Sequence, residues 1–134
     1  MKKFENYCSN LAVLLGAEKE DLSNDFIVSG IIDKFYIQFE LGWKVLKELL
    51  KYEGRAEAKS GSPREILKAA YAAYGFLDET VWLAMLNERN STAHLYDGEA
   101  ALVLVRHVLD SYIPAFATLR EEIEARYGEL LDSL

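Results

Sequence analysis

Two histidines, His94 and His107, are the only side chains here whose ordinary pKa lies near neutrality, and they stand in different company. His107 follows the apolar run Ala100-Ala101-Leu102-Val103-Leu104-Val105 and precedes Val108 and Leu109, the setting of a helix-face histidine. His94 lies in Asn87-Glu88-Arg89-Asn90-Ser91-Thr92-Ala93-His94-Leu95-Tyr96-Asp97, the most polar stretch between two apolar segments. An arginine beside a histidine is the minimum kit for metal-free cleavage of an RNA phosphodiester. The imidazole moves protons near neutral pH, and the guanidinium holds the phosphate and the charge developing on it. Residues five apart on a regular helix differ by about 140° around its axis, so Arg89 and His94 share no face of an unbroken helix. Either the helix ends between them or the two groups meet across a subunit boundary. Asn90, Ser91 and Thr92, whose side chains bond to nearby backbone, favour an irregular junction there. The same residue types also suit a capping and ion-pair cluster, and the spacing alone leaves both readings open.

Other chemistries have no residues to carry them. There is no glycine-rich phosphate loop, no His-x-x-x-His or Cys/His metal spacing and no nucleophile-elbow serine, so neither a metal nor a cofactor is expected on this chain. Cys8 is the single cysteine, which excludes a disulfide framework and reads as a small apolar residue on the first helix. The N-terminal residues lack the apolar run of a signal peptide, and no uninterrupted apolar stretch approaches the roughly 20 residues of a membrane span, so the cytoplasm is the expected location.

The elements that must position His94 follow from periodicity. In 134 residues with 51% hydrophobic and 12% aromatic composition, one domain spanning residues 1–134 can bury a sizeable core without cross-links. Two prolines and eight glycines are too few for the turns of an all-β domain. Phe4, Tyr7, Leu11, Leu14 and Leu15 mark a first helix ending near Gly16. Asn24 caps a second from about Asp25 to Glu53, carrying Ile27, Ile31, Phe35, Phe39, Trp43, Leu46, Leu49 and Leu50, with Gly54 stopping it. At about 40 Å it is long for so small a domain and has surface to spare for a partner. Residues 54–61 read as a polar, flexible loop. Ser62-Pro63-Arg64-Glu65 is a helix start with Ser62 at the N-cap and Glu65 placed to close a capping box, and this third helix is expected to end at Gly75. Asp78 opens a fourth helix that frays at Asn90-Ser91-Thr92. Asp97 caps a fifth to Tyr112, where Pro114 should kink or break it. A last helical piece reaches Tyr127 and ends in an acidic tail. The expected architecture is an all-α antiparallel four-helix bundle with one long helix, in which Trp43 and Trp82 belong to the core.

The string Arg89-Asn90-Ser91-Thr92-Ala93-His94-Leu95-Tyr96-Asp97 resembles the Arg-Asn-x-x-x-His-x-Tyr-Asp motif of HEPN-domain proteins encoded beside a minimal nucleotidyltransferase. Two further blocks agree, Phe39-Glu40-Leu41-Gly42-Trp43-Lys44 and Gly61-Ser62-Pro63-Arg64-Glu65, with Val81-Trp82 following in order. The branch most similar is the nucleotidyltransferase substrate-binding protein family, and the resemblance runs over nearly the whole chain. It implies a homodimer that pairs with a separate nucleotidyltransferase subunit in a two-gene toxin–antitoxin module. His94 would be the general acid/base, Arg89 the phosphate clamp and Asn90 the residue that orients them, at a dimer-interface cleft that cuts RNA without metal. Tyr96 matches the tyrosine that the nucleotidyltransferase, using its own ATP and Mg²⁺, adenylylates to silence the toxin. Glu40 could orient Arg89 or His94, or simply form an i, i+4 ion pair with Lys44. Arg64, at a helix N-terminus where its charge opposes the dipole, points to a ligand or partner contact.

The other reading of the same resemblance is a non-catalytic subunit that helps the nucleotidyltransferase bind its substrate. The net charge of −7 bears on the choice, because it repels a phosphate backbone. The charge is unevenly spread: residues 1–33 carry 3 positive and 6 negative side chains, residues 34–70 carry 8 and 5, and residues 71–134 carry 4 and 11. An RNA approach would therefore be a basic strip on an acidic body, with the acidic remainder left to face a protein partner.

Overall fold

The computed structural model describes residues 1–134, and helices account for every regular element in it. In chain order these are α1 (Lys2–Leu14), α2 (Asp25–Tyr52), α3 (Pro63–Ala73), α4 (Glu79–Asn90), α5 (Gly98–His107) and α6 (Ile113–Tyr127). Asn24 caps α2 by accepting from the backbone N–H groups of Phe26 and Ile27, and Asp78 caps α4 by accepting from Val81. Ser62 accepts from the Glu65 N–H at 3.3 Å, which supplies one half of the capping box. Gly54 follows the end of α2 with φ of 78°, a left-handed conformation that glycine adopts without a Cβ penalty.

Cross-helix contacts give the directions. Lys3 reaches Glu48 and Asn10 reaches Lys34, so α1 and α2 run antiparallel. Phe39 meets Trp82 and Tyr36 meets His94, so α4 also runs against α2. The rod made by α5 and α6 runs against α4, with Trp82 on Phe116 and Glu88 near His107. These four rods form the antiparallel bundle, and α3 packs beside α2 and α4 as an additional helix.

One contiguous cluster of 34 buried residues fills the centre. At its middle Phe35, Phe116 and Trp82 meet edge-on or tilted, the arrangement their ring quadrupoles favour. Gly42 makes room for this: a Cβ there would lie 3.0 Å from the Trp82 ring and 3.3 Å from Tyr7. Polar groups taken into the core are paired. Asn10 donates to Gln38 Oε1 at 2.8 Å, Gln38 donates to the Tyr7 carbonyl at 3.0 Å, and the Tyr7 hydroxyl donates to the Phe116 carbonyl at 2.7 Å. This chain ties α1, α2 and α6 together, and breaking it would strand a buried group at a cost of about 1–3 kcal/mol.

Four expectations need correction. Trp43 is only half-buried, because its indole N–H is drawn outward to Glu40. Residues 54–61 are not open loop: Ala56–Lys59 form a 3₁₀ turn that buries Ala58. Helix α3 stops at Ala73, two residues before Gly75, once Tyr74 turns extended to bury its ring. Of the two outcomes expected at Pro114, a kink or a break, the break does not occur. A π turn over Val108–Tyr112 widens the spiral just ahead of it, so the pyrrolidine ring need not collide with a carbonyl four residues back, and α5 continues into α6. The resulting rod, Gly98–Ser133, has the length and, over 18 residues, the mean hydropathy (1.3) of a membrane span. Arg106 and Asp110 interrupt it, and Leu104, Val105, Val108, Phe116, Leu119 and Ile123 along one face are core residues, so it is a core helix of the bundle.

Candidate active site at the α4–α5 junction

Helix α4 ends at Asn90 because Ser91 turns extended, and the chain then makes a 3₁₀ turn over Ala93–Leu95 before Asp97 caps α5. The Ser91 hydroxyl oxygen accepts from the Ala93 N–H at 3.3 Å, the local side-chain bonding that competes with helix. The end of the helix therefore falls between Arg89 and His94, which releases the two from the angular relation of a continuous helix. Arg89 sits in the last turn of α4, where its charge complements the carboxyl-end dipole.

Two residues one turn apart on α2 receive the pair. Glu40 Oε1 lies 2.7 Å from Arg89 Nη2, and its other oxygen accepts from Trp43 Nε1 at 3.0 Å. Lys44 Nζ stands 4.0 Å from that second oxygen. Arg89 Nη1 also donates to the Asn90 side-chain oxygen at 3.2 Å. One turn back, the Tyr36 hydroxyl lies 3.2 Å from His94 Nε2 and 3.3 Å from Nδ1, against a ring only partly covered. Burial pushes the Tyr36 phenol above its ordinary pKa, and the Glu88 and Asp33 carboxylates add to the shift.

A cavity of about 320 Å³ opens beside His94, lined by Glu88, Ser91, Ala93, Ala100, Val103 and Leu104. Glu88 also reaches His107, Oε1 to Nδ1 at 3.7 Å, so the second histidine stands behind the carboxylate that borders the first. Tyr96 is 89% exposed, its hydroxyl free of hydrogen bonds. Asp97 accepts from the Glu99 and Ala100 N–H groups at 2.9 and 3.4 Å, which gives the last residue of the motif a structural task. Arg64 is exposed at the start of α3 and forms no ion pair. No group of three or more histidine, cysteine, aspartate or glutamate side chains is placed to hold a metal ion.

Sequence reasoning passed over Tyr36 and Glu88. Tyr36 had a signal, since it lies four residues before Glu40 and hence on the same face of α2. Glu88 had none, because its approach to His94 depends on where α4 ends.

A helical bundle that presents Arg-x₄-His where one helix ends has the architecture that the resemblance to HEPN-domain proteins implies. The sequence model of the family described as nucleotidyltransferase substrate binding protein like matches residues 1–125, and the chain belongs to that family. It is also similar to a probable ribonuclease HepT of Haemophilus influenzae, 29% identical over 105 residues that make up 76% of this chain and 70% of that protein.

Proposed function

We propose that this chain is the HEPN partner subunit of a minimal nucleotidyltransferase in a cytoplasmic two-gene toxin–antitoxin module, and that it is itself a metal-independent endoribonuclease. The observation that carries the reading is the bracing of Arg89 and His94 by positions one turn apart on α2, Glu40 and Tyr36, which seats a guanidinium and an imidazole against adjacent turns of the same helix. In cleavage the ribose 2′-oxygen attacks the adjacent phosphorus and the 5′-oxygen leaves. His94 transfers the protons, Arg89 holds the phosphate oxygens, and Asn90 keeps the guanidinium in place. The similarity to a probable ribonuclease supports the same class of reaction. With tRNA or mRNA as substrate, wild-type protein should cut and His94→Ala should not; RNA left intact by both would remove the enzyme reading.

Silencing is proposed at Tyr96. Its oxygen attacks the α-phosphorus of ATP held with Mg²⁺ by the nucleotidyltransferase, pyrophosphate leaves and the phenolic proton passes to solvent. The product carries bulk and negative charge two residues from His94, which repels an RNA phosphate. Exposure of the Tyr96 hydroxyl is what such a transfer requires. Intact mass should rise by one AMP after incubation with the partner, ATP and Mg²⁺, and Tyr96→Phe should abolish the rise. A homodimer would bring two such sites together, and the open hollow of about 520 Å³ lined by Asn6, Ser9, Tyr36, Ile37, Glu40 and Leu41 is the surface offered for it. Light scattering at twice the mass of 15.2 kDa is the expected result.

The second reading, a non-catalytic subunit that helps the nucleotidyltransferase hold its substrate, draws on the 2.7 Å Glu40–Arg89 pair, which already satisfies much of the guanidinium. Under that reading adenylylation proceeds with normal yield in His94→Ala and RNA is never cut.

A further inference from the structure

Helices α1 and α2 and the Ala56–Lys59 turn enclose a groove of about 440 Å³ lined by Lys3, Lys44, Lys47, Lys51 and Lys59 together with Trp43, Glu48 and Ala58. On a chain of net charge −7 this gathers a third of the 15 lysines and arginines into one place. Lys44, Lys47 and Lys51 recur at i, i+3 and i+7, a single stripe of α2. Glu48 is engaged with Lys3 at 2.6 Å, whereas Lys47, Lys51 and Lys59 have no acidic partner. Like charges held together without counter-charges raise the free energy of the empty groove, and a polyanion relieves it.

The groove is continuous with the site. Glu40, which holds Arg89, also accepts from Trp43 and neighbours Lys44, both of which line the groove. From Glu40 to Lys51 the helix rises about 16 Å, a track along which successive phosphates can be met. A cationic groove with an aromatic ring in its wall holds single-stranded nucleic acid through backbone charge and base stacking, with no reading of sequence.

We propose that this groove binds the sugar–phosphate backbone of single-stranded RNA and leads the strand to Arg89 and His94. The identity of the strand rests on the ribonuclease reading, whereas the groove's affinity for it does not depend on cleavage. Fluorescence anisotropy of a labelled oligouridylate, in a His94→Ala background so that the strand stays whole, tests it. Lys47→Glu/Lys51→Glu/Lys59→Glu should weaken binding at least about 10-fold and flatten the slope of log K against log salt by about 2, since each single-strand phosphate contact contributes roughly 0.7. The control Lys2→Glu/Lys19→Glu/Lys68→Glu changes exposed lysines outside the groove and should retain most of the affinity and slope. Circular dichroism of both variants verifies the fold. Equal loss in the two triple variants, no loss in the groove variant, or no RNA binding to begin with overturns the proposal. So does a groove variant that keeps RNA affinity yet no longer co-elutes with the nucleotidyltransferase, because the lysines would then face a protein. Cleavage by the His94-intact chain is scored separately: intact RNA with groove-dependent binding sinks the ribonuclease and leaves the groove standing, and cleavage unaffected by the groove substitutions does the reverse.

Discussion

Glu40 and Tyr36 do opposite things to the two groups they hold, and substitutions should separate them. The Glu40 carboxylate neutralises Arg89 while fixing its direction, so Glu40→Gln exposes the cation and loosens it. The expected result is RNA bound a few-fold more tightly and cut more slowly, read as KM and kcat moving down together; a fall in kcat with weaker binding would mean that Glu40 contributes fold rather than orientation. Tyr36→Phe retains the ring against Phe35, 5.5 Å between centroids, and removes only the hydroxyl at His94. Loss of one hydrogen bond worth about 1 kcal/mol should slow cleavage by up to roughly 10-fold through kcat, while KM and the thermal midpoint stay put. An unchanged kcat would show that the Tyr36–His94 contact has no part in positioning the imidazole.

At the scale of elements, the site exists because α4 stops at Asn90 and α5 starts at Gly98, with caps deciding both. Asp97→Ala removes the acceptor for two N–H groups of α5 and should cost about 1 kcal/mol in urea unfolding, with a larger proportional loss of cleavage because the His94 turn is the segment that loosens. Full activity in that variant would show that the turn is held from α2 alone. These boundaries were legible in the residues: Asn24, Ser62, Asp78 and Asp97 all cap where their types and spacing say, and the break at Asn90-Ser91-Thr92 falls where side-chain bonding to backbone predicts it. Trp43 and Pro114 misled for one physical reason. A one-dimensional pattern registers an apolar side chain or a missing N–H, but not the carboxylate that draws an indole outward or the extra residue that a π turn inserts. Glu88 was hidden differently, since it comes to border His94 only through the path the chain takes after α4 ends.

For the whole molecule, the buried phenols set an alkaline limit. Tyr7, Tyr36, Tyr74, Tyr112 and Tyr127 are all raised above the ordinary phenol value, burial being the largest cause in each. Tyr112 is pushed up to about 12, with Glu88 adding to the effect of burial. A folded phenol that holds its proton more tightly than the unfolded one contributes stability that is complete below the unfolded value of about 10 and is lost as pH rises through the folded value. The bundle should therefore lose stability progressively as pH climbs from about 10 to 12. Tyr112→Phe isolates one contribution: its ring stacks on Phe35 at 5.3 Å and its hydroxyl makes no hydrogen bond, so the core keeps its filling and loses only the proton. Urea midpoints followed up the alkaline range should fall less steeply for this variant than for the wild-type chain, with the two converging near neutrality. Parallel curves would place the alkaline weakness in the remaining four phenols, of which Tyr74 and Tyr127, bonded to each other at 2.7 Å with Glu53 accepting from Tyr127, are next to be changed.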